Sequence, residues 1–498
     1  MLVFILLLFA LIAFFMRIVK SVRFWERNGK CNPKFSLIWT NTKNSLFCRN
    51  NIANRMDLIY RAYPNNKFIG HYEVLKPTLL IKDPELIGEM FVKNFQSFHD
   101  RFSEQDRKDR ISQHVFTLAG SKWKQVRSKL VTTFSPVKLK MMYPILQRCS
   151  EILMSYVSEQ PKTNQVIDAK DMTARYALDV IGCCAFGLEF NALNDPNSEF
   201  RKISKESSGS TTGNSIRRII RLLDSTRLLK KLFNFHEISP KVDTFFFNLL
   251  KDTKELRENE LITRNDFVQL MLDMRTKELA NGEKNVIFTD EIIASNMFVF
   301  FFAGFETIST TLSFCLYEMA LNPEIQEKVR NEVERVRESH NGVIDFDSLA
   351  RLTYMEMVLE ETLRKYPPAV SVFRVCTQPY EIPGSDMVLH PYDSVSIPIY
   401  SIHHDERYYE NPKKFDPERF TEENKARRVP NTYMPFGIGP RICLGLRFAY
   451  IEMKCCLAEL LHRYKFIPCD KTDIPVKITT TATTYTTDKP IWLTVKEV

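Results

Sequence analysis

The loop FGIGPRICLG, from Phe436 to Gly445, constrains the fold of this chain more than any other segment. Its glycines, at 437, 439 and 445, permit turns and close approaches that a Cβ would block, and Pro440 stiffens the backbone before Cys443. Arg441 can meet a carboxylate and can favour the thiolate form of the cysteine. A helical pattern begins at Leu446, so the sulfur should lie beside a helix N-terminus. The pattern predicts a metal-binding thiolate; the alternative is a cysteine that simply packs as a small hydrophobic residue.

A second segment, VFFFAGFETISTT from Val299, predicts a buried helix with small residues at its centre. Helical spacing places four of its residues on one face: Phe300, Ala303, Thr307 and Thr311. Glycine inside a helix costs about 1 kcal/mol relative to alanine, so Gly304 indicates the close approach of a bulky ligand. The Thr307 hydroxyl can donate to the Ala303 carbonyl or orient a water, and Glu306 can relay protons. The alternative is a Phe-rich core helix that tolerates a threonine.

A third element is the sequence ETLR, in which Glu361 and Arg364 share one face of a helix that ends before Pro367. Pairs at this spacing are common on exposed helix faces, where they contribute only a few tenths of a kcal/mol. Here the residues around the pair are apolar, which indicates partial burial. A buried ion pair needs further partners, so we expect other groups to meet it.

Together these segments resemble the cytochrome P450 family. The loop matches the haem-binding pattern FxxGxRxCxG at its five fixed positions, which are Phe436, Gly439, Arg441, Cys443 and Gly445. AGFET resembles the family's oxygen-activation motif AGxET, and ETLR resembles its ExxR motif. PERF at 417–420, WKQVR at 123–127 and Arg374 in SVFRV match three more of its segments. The Pro-rich hinge of microsomal members is reduced here to Pro33, which leaves the orientation of the body on a membrane open.

The resemblance implies haem b as the cofactor, with Cys443 as the axial ligand of its iron. Arginines 127, 374 and 441 suit the two haem propionates, and Trp123 would lie against the same propionate as Arg127. The remaining implied residues divide between cofactor contact (Phe436, Gly445, Ala303 and Gly304) and a structural ion-pair group (Glu361, Arg364 and Arg419). Thr307 and Glu306 take the catalytic roles.

The chain has 498 residues, of which 44% are hydrophobic, and contains no low-complexity tract, internal repeat or Gly/Ser linker. Helical periodicity dominates from about 84 to 365, whereas 66–81, with a turn at Lys76 and Pro77, and the Thr-rich end from Ile474 predict strands. We therefore expect a mainly α fold with a small β-rich part drawn from both ends, the cytochrome P450 fold that the resemblance implies. The expected divisions are an anchor at 1–20, a linker that enters the catalytic body at 21–65, and the haem-thiolate domain at 66–498.

The N-terminus predicts a membrane anchor. No charged residue occurs from Met1 to Met16, and positive charges follow at Arg17 and Lys20. Secretory signals carry their charges before the apolar stretch, and an interfacial helix would have a polar face, so a transmembrane anchor is favoured. The positive-inside rule places the body on the cytosolic side, and the short span suits the endoplasmic reticulum.

The chain contains eleven cysteines, and their expected position in the cytosol argues against a disulfide framework. The net charge of +9 is spread along the chain, which favours a membrane or an acidic partner over nucleic acid.

The resemblance implies a monooxygenase that uses O2 and electrons from an NADPH-cytochrome reductase, with cytochrome b5 as a second expected partner. No GxGxxG loop opening a βαβ unit is present, so the electrons must come from another protein. A basic run of Lys122, Lys124, Arg127 and Lys129 suits an acidic reductase surface, or is a solvated helix face.

The expected substrates are lipophilic: xenobiotics, insecticides or steroids. The pocket is expected to be lined by Phe300, Ala303, Thr311 and 98–116, and the basic amphipathic stretch from Ile216 is expected to lie on the membrane.

Two other functions are compatible with a haem-thiolate resemblance. One is an isomerase or dehydratase that acts on a peroxide without a reductase; its members tend to lose the acid and alcohol, which this chain keeps as Glu306 and Thr307. The other is a membrane-anchored binding protein without catalysis, which the intact motifs argue against. Consumption of O2 and NADPH separates the first alternative from a monooxygenase, and product formation with a reductase excludes the second.

Overall fold

The computed structural model describes residues 49–73, 76–102, 109–159, 166–207, 238–260, 266–282, 286–482 and 484–498, with a few residues between 24 and 44. The expected anchor at 1–20 and the whole amphipathic stretch from Ile216 lie outside these residues. Among the described residues, one helix is long and apolar enough to cross a membrane, Asp290–Leu321, and 61% of its apolar window is buried within the protein.

The described residues are mainly helical, as the sequence predicts. The helices are α1 Ile52–Ala62, α2 Pro84–Gly88, α3 Gly120–Val131, α4 Pro136–Ser158, α5 Ala169–Ile181, α6 Glu199–Ser207, α7 Pro240–Glu260, α8 Phe267–Ala280, α9 Asp290–Leu321, α10 Pro323–Glu338, α11 Thr353–Lys365, α12 Ile399–His403, α13 Glu422–Arg427 and α14 Leu446–Arg463. The strands are β1 Phe68–Glu73, β2 Lys76–Ile81, β3 Val166–Asp168, β4 Val372–Val375, β5 Tyr380–Glu381, β6 Val388–Leu389, β7 Ser394–Ile397, β8 Tyr464–Pro468 and β9 Trp492–Glu497.

Local sequence explains where several of these helices begin and end. Helix α9 starts after Thr289, whose hydroxyl accepts from the backbone N–H of Ile292, and its first turn carries two acidic residues that favour a helix N-terminus. Asp83 caps α2 in the same way, and Pro84 occupies its first position, as the sequence predicts. Helix α11 ends at Lys365, just before two prolines that cannot continue it.

The β structure differs from the prediction in how its strands are grouped. One sheet has the order β1-β2-β7-β4, so its partners for the N-terminal strands come from 372–397 and not from the C-terminus. The C-terminal strand β9 instead pairs with both β8 and β3. The turn expected at Lys76 and Pro77 is wrong, because both residues lie in β2, where Pro77 pairs with Tyr72 of β1. Periodicity shows which residues form strands, but strand partners depend on the path of the whole chain.

Helix α9 runs through the centre of the helical core. It packs along α5, and it also contacts α7, α11 and β8. The larger hydrophobic cluster contains α9 together with the buried faces of α4, α5 and α14, while a second cluster lies under the four-stranded sheet. The Cys443 loop lies between these two clusters, since Ile438 belongs to the sheet cluster and Phe448, at the start of α14, belongs to the helical one.

Candidate active site

The loop around Cys443 is a set of tight turns closed by backbone hydrogen bonds. The Cys443 N–H donates to the Phe436 carbonyl at 2.9 Å, and the Ile442 N–H donates to the Gly439 carbonyl at 2.9 Å. Gly437 and Gly439 have φ angles of 80° and 69°, which residues with a Cβ rarely adopt. A Cβ on Gly439 would also lie 2.2 Å from the carbonyl oxygen of Phe91. Two of the three glycines are thus required by the local backbone.

Gly445 differs from the other two glycines. Its φ of −88° is open to any residue, and a Cβ there would lie 3.8 Å from Cε1 of Phe134, an ordinary van der Waals distance. The expectation that this position needs a glycine for a turn is therefore wrong. Its backbone acts on the sulfur instead, because the Gly445 N–H lowers the pKa of the Cys443 thiol.

The electrostatics of Cys443 differ from the prediction in which cations favour its thiolate. Desolvation by the surrounding protein raises the pKa of the Cys443 thiol, while the Gly445 N–H and the cations of Arg101 and Arg127 act to lower it. Arg441, which the sequence suggested as the stabilising cation, is not among these causes. Its guanidinium points away from the sulfur, toward His99, Asp100 and Leu118.

Arg441 is fully buried and points into the protein on the side of 98–118. It donates to the carbonyl of His99 at 2.5 Å and to that of Leu118 at 2.7 Å, and its Nη2 lies 3.4 Å from Oδ1 of Asp100. Its guanidinium carbon also lies 4.0 Å from the centroid of the Trp123 ring. Arg441 therefore already has an acidic partner, and it fixes Trp123 by stacking.

The other two predicted arginines lie in the same group of cations. Arg127 on α3 donates to the Ile442 carbonyl at 2.7 Å, which brings its charge beside the cysteine. Arg374 on β4 is buried, and the pKa of its guanidinium is held well below its ordinary value by burial and by Arg101, Arg441 and Arg127. Four guanidinium groups thus meet at one place.

Two buried polar atoms in this group lack a hydrogen-bond partner among the described residues. They are Nε1 of Trp123 and Nε of Arg374. A buried donor without a partner is costly, and a buried cation without an anion more so, unless a ligand satisfies them. An anionic group that carries carboxylates, as haem does, fits these donors and this charge.

Arg101 is a site residue that the sequence analysis missed. Its Nη2 donates to the Arg441 carbonyl at 3.0 Å and its guanidinium lies 4.2 Å from the Phe116 ring. Burial, followed by the charge of Arg127, lowers the pKa of Arg101 to about 10, and Cys443 acts in the opposite direction. The segment was expected only to line a pocket. A charged residue inside the aromatic run FHDRF was the one signal available.

Helix α9 presents Ala303 and Thr307 toward open space. The Thr307 hydroxyl donates to the Ala303 carbonyl at 2.7 Å, the first of the two interactions that the sequence allows. Ala303 is exposed, whereas Thr311 is buried and its hydroxyl donates to the Thr307 carbonyl at 2.8 Å. Phe300 packs in an aromatic group, with its ring 6.0 Å from that of Phe134 and 5.5 Å from that of Phe267.

The structure assigns Gly304 a packing reason. A Cβ on Gly304 would lie 2.7 Å from Cδ1 of Ile181 on α5. The close approach that the glycine permits is therefore between two helices. The contact of Gly304 with a bulky ligand, which the sequence predicts, stays a prediction.

Glu306 lies one residue before Thr307 and is half-buried. Its Oε1 accepts a hydrogen bond from the hydroxyl of Thr484 at 2.9 Å. Thr484 belongs to the Thr-rich C-terminal segment, which the sequence analysis treated only as strand.

The Glu361–Arg364 pair is fully buried and has the further partners that burial requires. Its two charge-assisted hydrogen bonds measure 2.6 and 2.8 Å. Arg364 also donates to the carbonyls of His403 and Pro412, each at 2.8 Å. Nε of Arg419 lies 3.5 Å from Oε1 of Glu361. The group joins α11 to the segment that leads into the Cys443 loop.

Known proteins are similar to this chain over most of its length. A family model described as cytochrome P450 matches residues 33–495. Cytochrome P450 6k1 of Blattella germanica is 37% identical over 492 residues, which are 95% of this chain and 93% of that protein. Cytochrome P450 6a2 of Drosophila melanogaster is 35% identical over 473 residues, 92% of each. Cytochrome P450 9e2 of Blattella germanica is 36% identical over 468 residues, 88% of this chain and 87% of that protein.

Proposed function

The chain belongs to the cytochrome P450 family of haem b monooxygenases, and we propose that it is a microsomal member that oxidises lipophilic small molecules with electrons from an NADPH-dependent reductase. The observation that carries this proposal is the pair of Arg101 and Arg127 beside Cys443, with Arg374 close to both arginines and with unsatisfied donors on Trp123 and Arg374. These cations would bind the two carboxylates of haem, and Cys443 would bind its iron.

Residues of this chain suit haem in distinct ways. Cys443 would ligate the iron, and Trp123, Arg127 and Arg374 would bind the propionates. When bound, haem with a thiolate ligand supplies the activation of O2 and the cleavage of its O–O bond. Arg441 would act through Trp123, whose ring it stacks on while Asp100 neutralises its charge.

The protein supplies protons and excludes water around this chemistry. Thr307 holds its hydroxyl at the Ala303 carbonyl, where it can bind a water or pass on a proton. Glu306, the adjacent acid, is accessible enough to exchange protons with solvent. Apolar rings around the middle of α9 would keep other water away.

A lipophilic substrate is supported by aromatic side chains on the neighbouring elements. The ring of Phe298 lies 6.0 Å from His114 and 6.3 Å from Phe302. Burial lowers the pKa of His114 to about 3, so this histidine is neutral at physiological pH. A pocket lined by such apolar surfaces binds its ligand mainly through the ligand's hydrophobic area and less through any single polar contact.

Electrons would enter from a reductase, or from cytochrome b5, on the side of α3. Lys122 and Lys124 are exposed on this helix, and Arg127 on the same helix touches the Cys443 loop. Lys129 belongs less to this surface, since it pairs with the buried Glu278. An acidic partner would therefore be met mainly by the first two lysines.

The N-terminal residues 1–20 would anchor the protein in the endoplasmic reticulum, with the body in the cytosol.

Spectroscopy of the reduced protein with carbon monoxide tests the cofactor assignment. Thiolate-ligated haem gives a strongly red-shifted Soret band, which we expect for the native chain and for Cys469→Ser, a control at another free thiol. Cys443→Ser should lose the shift. A native protein without that band would exclude the proposed ligand.

Turnover with a reductase tests the reaction. A lipophilic alkoxycoumarin incubated with NADPH, O2 and reductase should be dealkylated, with consumption of both co-substrates. Rearrangement of a fatty-acid hydroperoxide without NADPH, and no NADPH-dependent product, would favour the isomerase instead. Binding of the coumarin without either reaction would favour a binding protein.

A further inference from the structure

The C-terminal segment at 478–487 reaches across the molecule to the acid of helix α9. Its two described arms, 478–482 and 484–487, pair with each other as in a hairpin: Ile478 bridges to Thr487, and the Thr479 N–H donates to the Thr486 carbonyl at 2.8 Å. The second arm is fixed to the body, because the Tyr485 N–H donates to the Pro368 carbonyl at 3.0 Å. The neighbouring residue, Thr484, is thereby held where its hydroxyl donates to Oε1 of Glu306 at 2.9 Å.

A lysine at the start of α5 holds the base of the hairpin. Lys170 donates to the Thr487 carbonyl. Burial lowers the pKa of Lys170, and the charges of Glu306, Asp168 and Asp488 act to raise it. Lys170 is half-buried, so part of it is in contact with solvent.

We propose that Thr484 is a positioning residue for Glu306, and that Lys170, by bonding the base of the hairpin, keeps Thr484 in place. The inference rests on the proposed role of Glu306 as a proton donor. Thr484 would fix the orientation of the acid between turnovers, and Lys170 would fix the hairpin that carries Thr484.

The geometry of the helix explains why the acid needs such a partner. Consecutive residues of a helix point about 100° apart, so Glu306 and Thr307 cannot face the same way. A free glutamate side chain would divide its time among several rotamers. A hydroxyl is both donor and acceptor, so Thr484 can bond the carboxylate and, after protonation, accept from the carboxylic acid. The hairpin thus keeps one orientation in both charge states.

Matched substitutions separate this role from a structural one. Thr484→Val keeps the shape and removes the hydroxyl, Thr484→Ser restores it, and Thr481→Val is an exposed control in the same hairpin. With the alkoxycoumarin as substrate, we expect Thr484→Val to lower kcat about 2- to 10-fold, the equivalent of one hydrogen bond. KM should not change, and the solvent deuterium isotope effect on kcat should rise. Thr484→Ser and Thr481→Val should behave as the native enzyme.

Lys170 supplies a second pair of variants. Lys170→Met, which cannot donate to the Thr487 carbonyl, should lower kcat and raise the isotope effect in the same direction, and Lys170→Arg, which keeps a donor there, should restore both. A change confined to KM or to thermal stability in Thr484→Val or Lys170→Met would overturn the proposal.

Infrared spectroscopy supplies a readout that does not depend on turnover. The difference between the native holoenzyme and Glu306→Gln isolates the carboxylate band of Glu306. Loss of a hydrogen bond should shift that band in Thr484→Val but not in Thr481→Val. If the native enzyme showed no NADPH-dependent activity, the proposed function would fail, and this band would still decide whether Thr484 holds the acid. An unshifted band in Thr484→Val would contradict the inference.

Discussion

The ring of His403 accepts a hydrogen bond from the backbone N–H of Met434, with 2.9 Å between Nε2 and N. Its Nδ1 lies 3.2 Å from the Arg364 carbonyl, to which it donates because the other nitrogen is the acceptor. The Met434 carbonyl in turn accepts from the Gly437 N–H at 2.9 Å. His403 therefore links the buried Glu361–Arg364 pair to the first turn of the Cys443 loop.

Removal of this ring should loosen the loop. His403→Ala leaves the Met434 N–H and the Arg364 carbonyl without their partner and opens a cavity, which together should cost about 3–5 kcal/mol. We expect a lower midpoint of thermal unfolding, a smaller haem content after purification and a weaker red-shifted band with carbon monoxide. His390→Ala, at an exposed position, is the control. Full haem content in His403→Ala would show that the loop is held without it.

Buried histidines should make the protein sensitive to acid. Burial lowers the pKa of His71 to about 4 and that of His114 to about 3, and holds that of His403 well below its ordinary value. The unfolded chain binds these protons near pH 6.5, so the unfolded state takes up more protons as the pH falls. The stabilisation is complete above about pH 6.5 and decreases below it toward the folded-state values, by about 1.4 kcal/mol per pH unit for each histidine.

A single variant isolates one of these contributions. The thermal midpoint of the native protein and of His114→Gln should be compared at pH 7.5 and pH 5.5. The variant should lose less stability between the two values, because it has one fewer group that charges on unfolding. Equal losses would mean that His114 is protonated in the folded protein. Acidic groups such as Glu452, whose pKa burial raises, are common to both proteins and cancel.

Arg374 should have opposite effects on the protein with and without its cofactor. Its buried Nε has no partner among the described residues, and three other arginines repel its charge. Arg374→Met removes an uncompensated cation, so the apoprotein should become more stable. The same change should weaken haem binding about 10- to 100-fold, since a charge-assisted hydrogen bond is lost. Haem titration and thermal unfolding of both forms measure the two effects, with the exposed Arg447→Met as control. Destabilised apoprotein would contradict this account of the site.

Two glycines of the Cys443 loop should respond differently to the same change. Gly439→Ala forces a Cβ to 2.2 Å from the Phe91 carbonyl oxygen at a φ of 69°, so we expect a loss of several kcal/mol, about 3 or more, or no folded protein. Gly445→Ala should cost less than about 1 kcal/mol, because its φ is ordinary and its nearest neighbour is 3.8 Å away. Expression level, haem content and thermal midpoint measure both. A severe effect of Gly445→Ala would mean that a bound group approaches that position.

Local spacing explains what could be predicted from the sequence. Glu361 and Arg364 are three residues apart on one helix, and Thr307 is four from Ala303, so these contacts follow from helix geometry alone. The contacts that could not be predicted join distant parts of the chain: Thr484 meets Glu306, and Arg101 meets Arg441. The partner of Arg441 was also out of reach, because Asp100 lies 341 residues before it in the chain. Hydrophobic periodicity carries no information about which polar residues the fold will bring together.

Gly304 and Ile181 offer a direct test of why the centre of α9 contains a glycine. Gly304→Ala places a methyl group 2.7 Å from Cδ1 of Ile181, so it should destabilise the protein by about 1–3 kcal/mol. Ile181→Ala alone leaves a cavity between α5 and α9, at a cost of about 2–5 kcal/mol. In the double variant the new methyl group enters that cavity, so the loss should be smaller than the sum of the single losses by more than about 1 kcal/mol. Thermal unfolding of the four proteins completes the cycle. Additive losses, with haem affinity reduced in Gly304→Ala, would show instead that the glycine makes room for the cofactor.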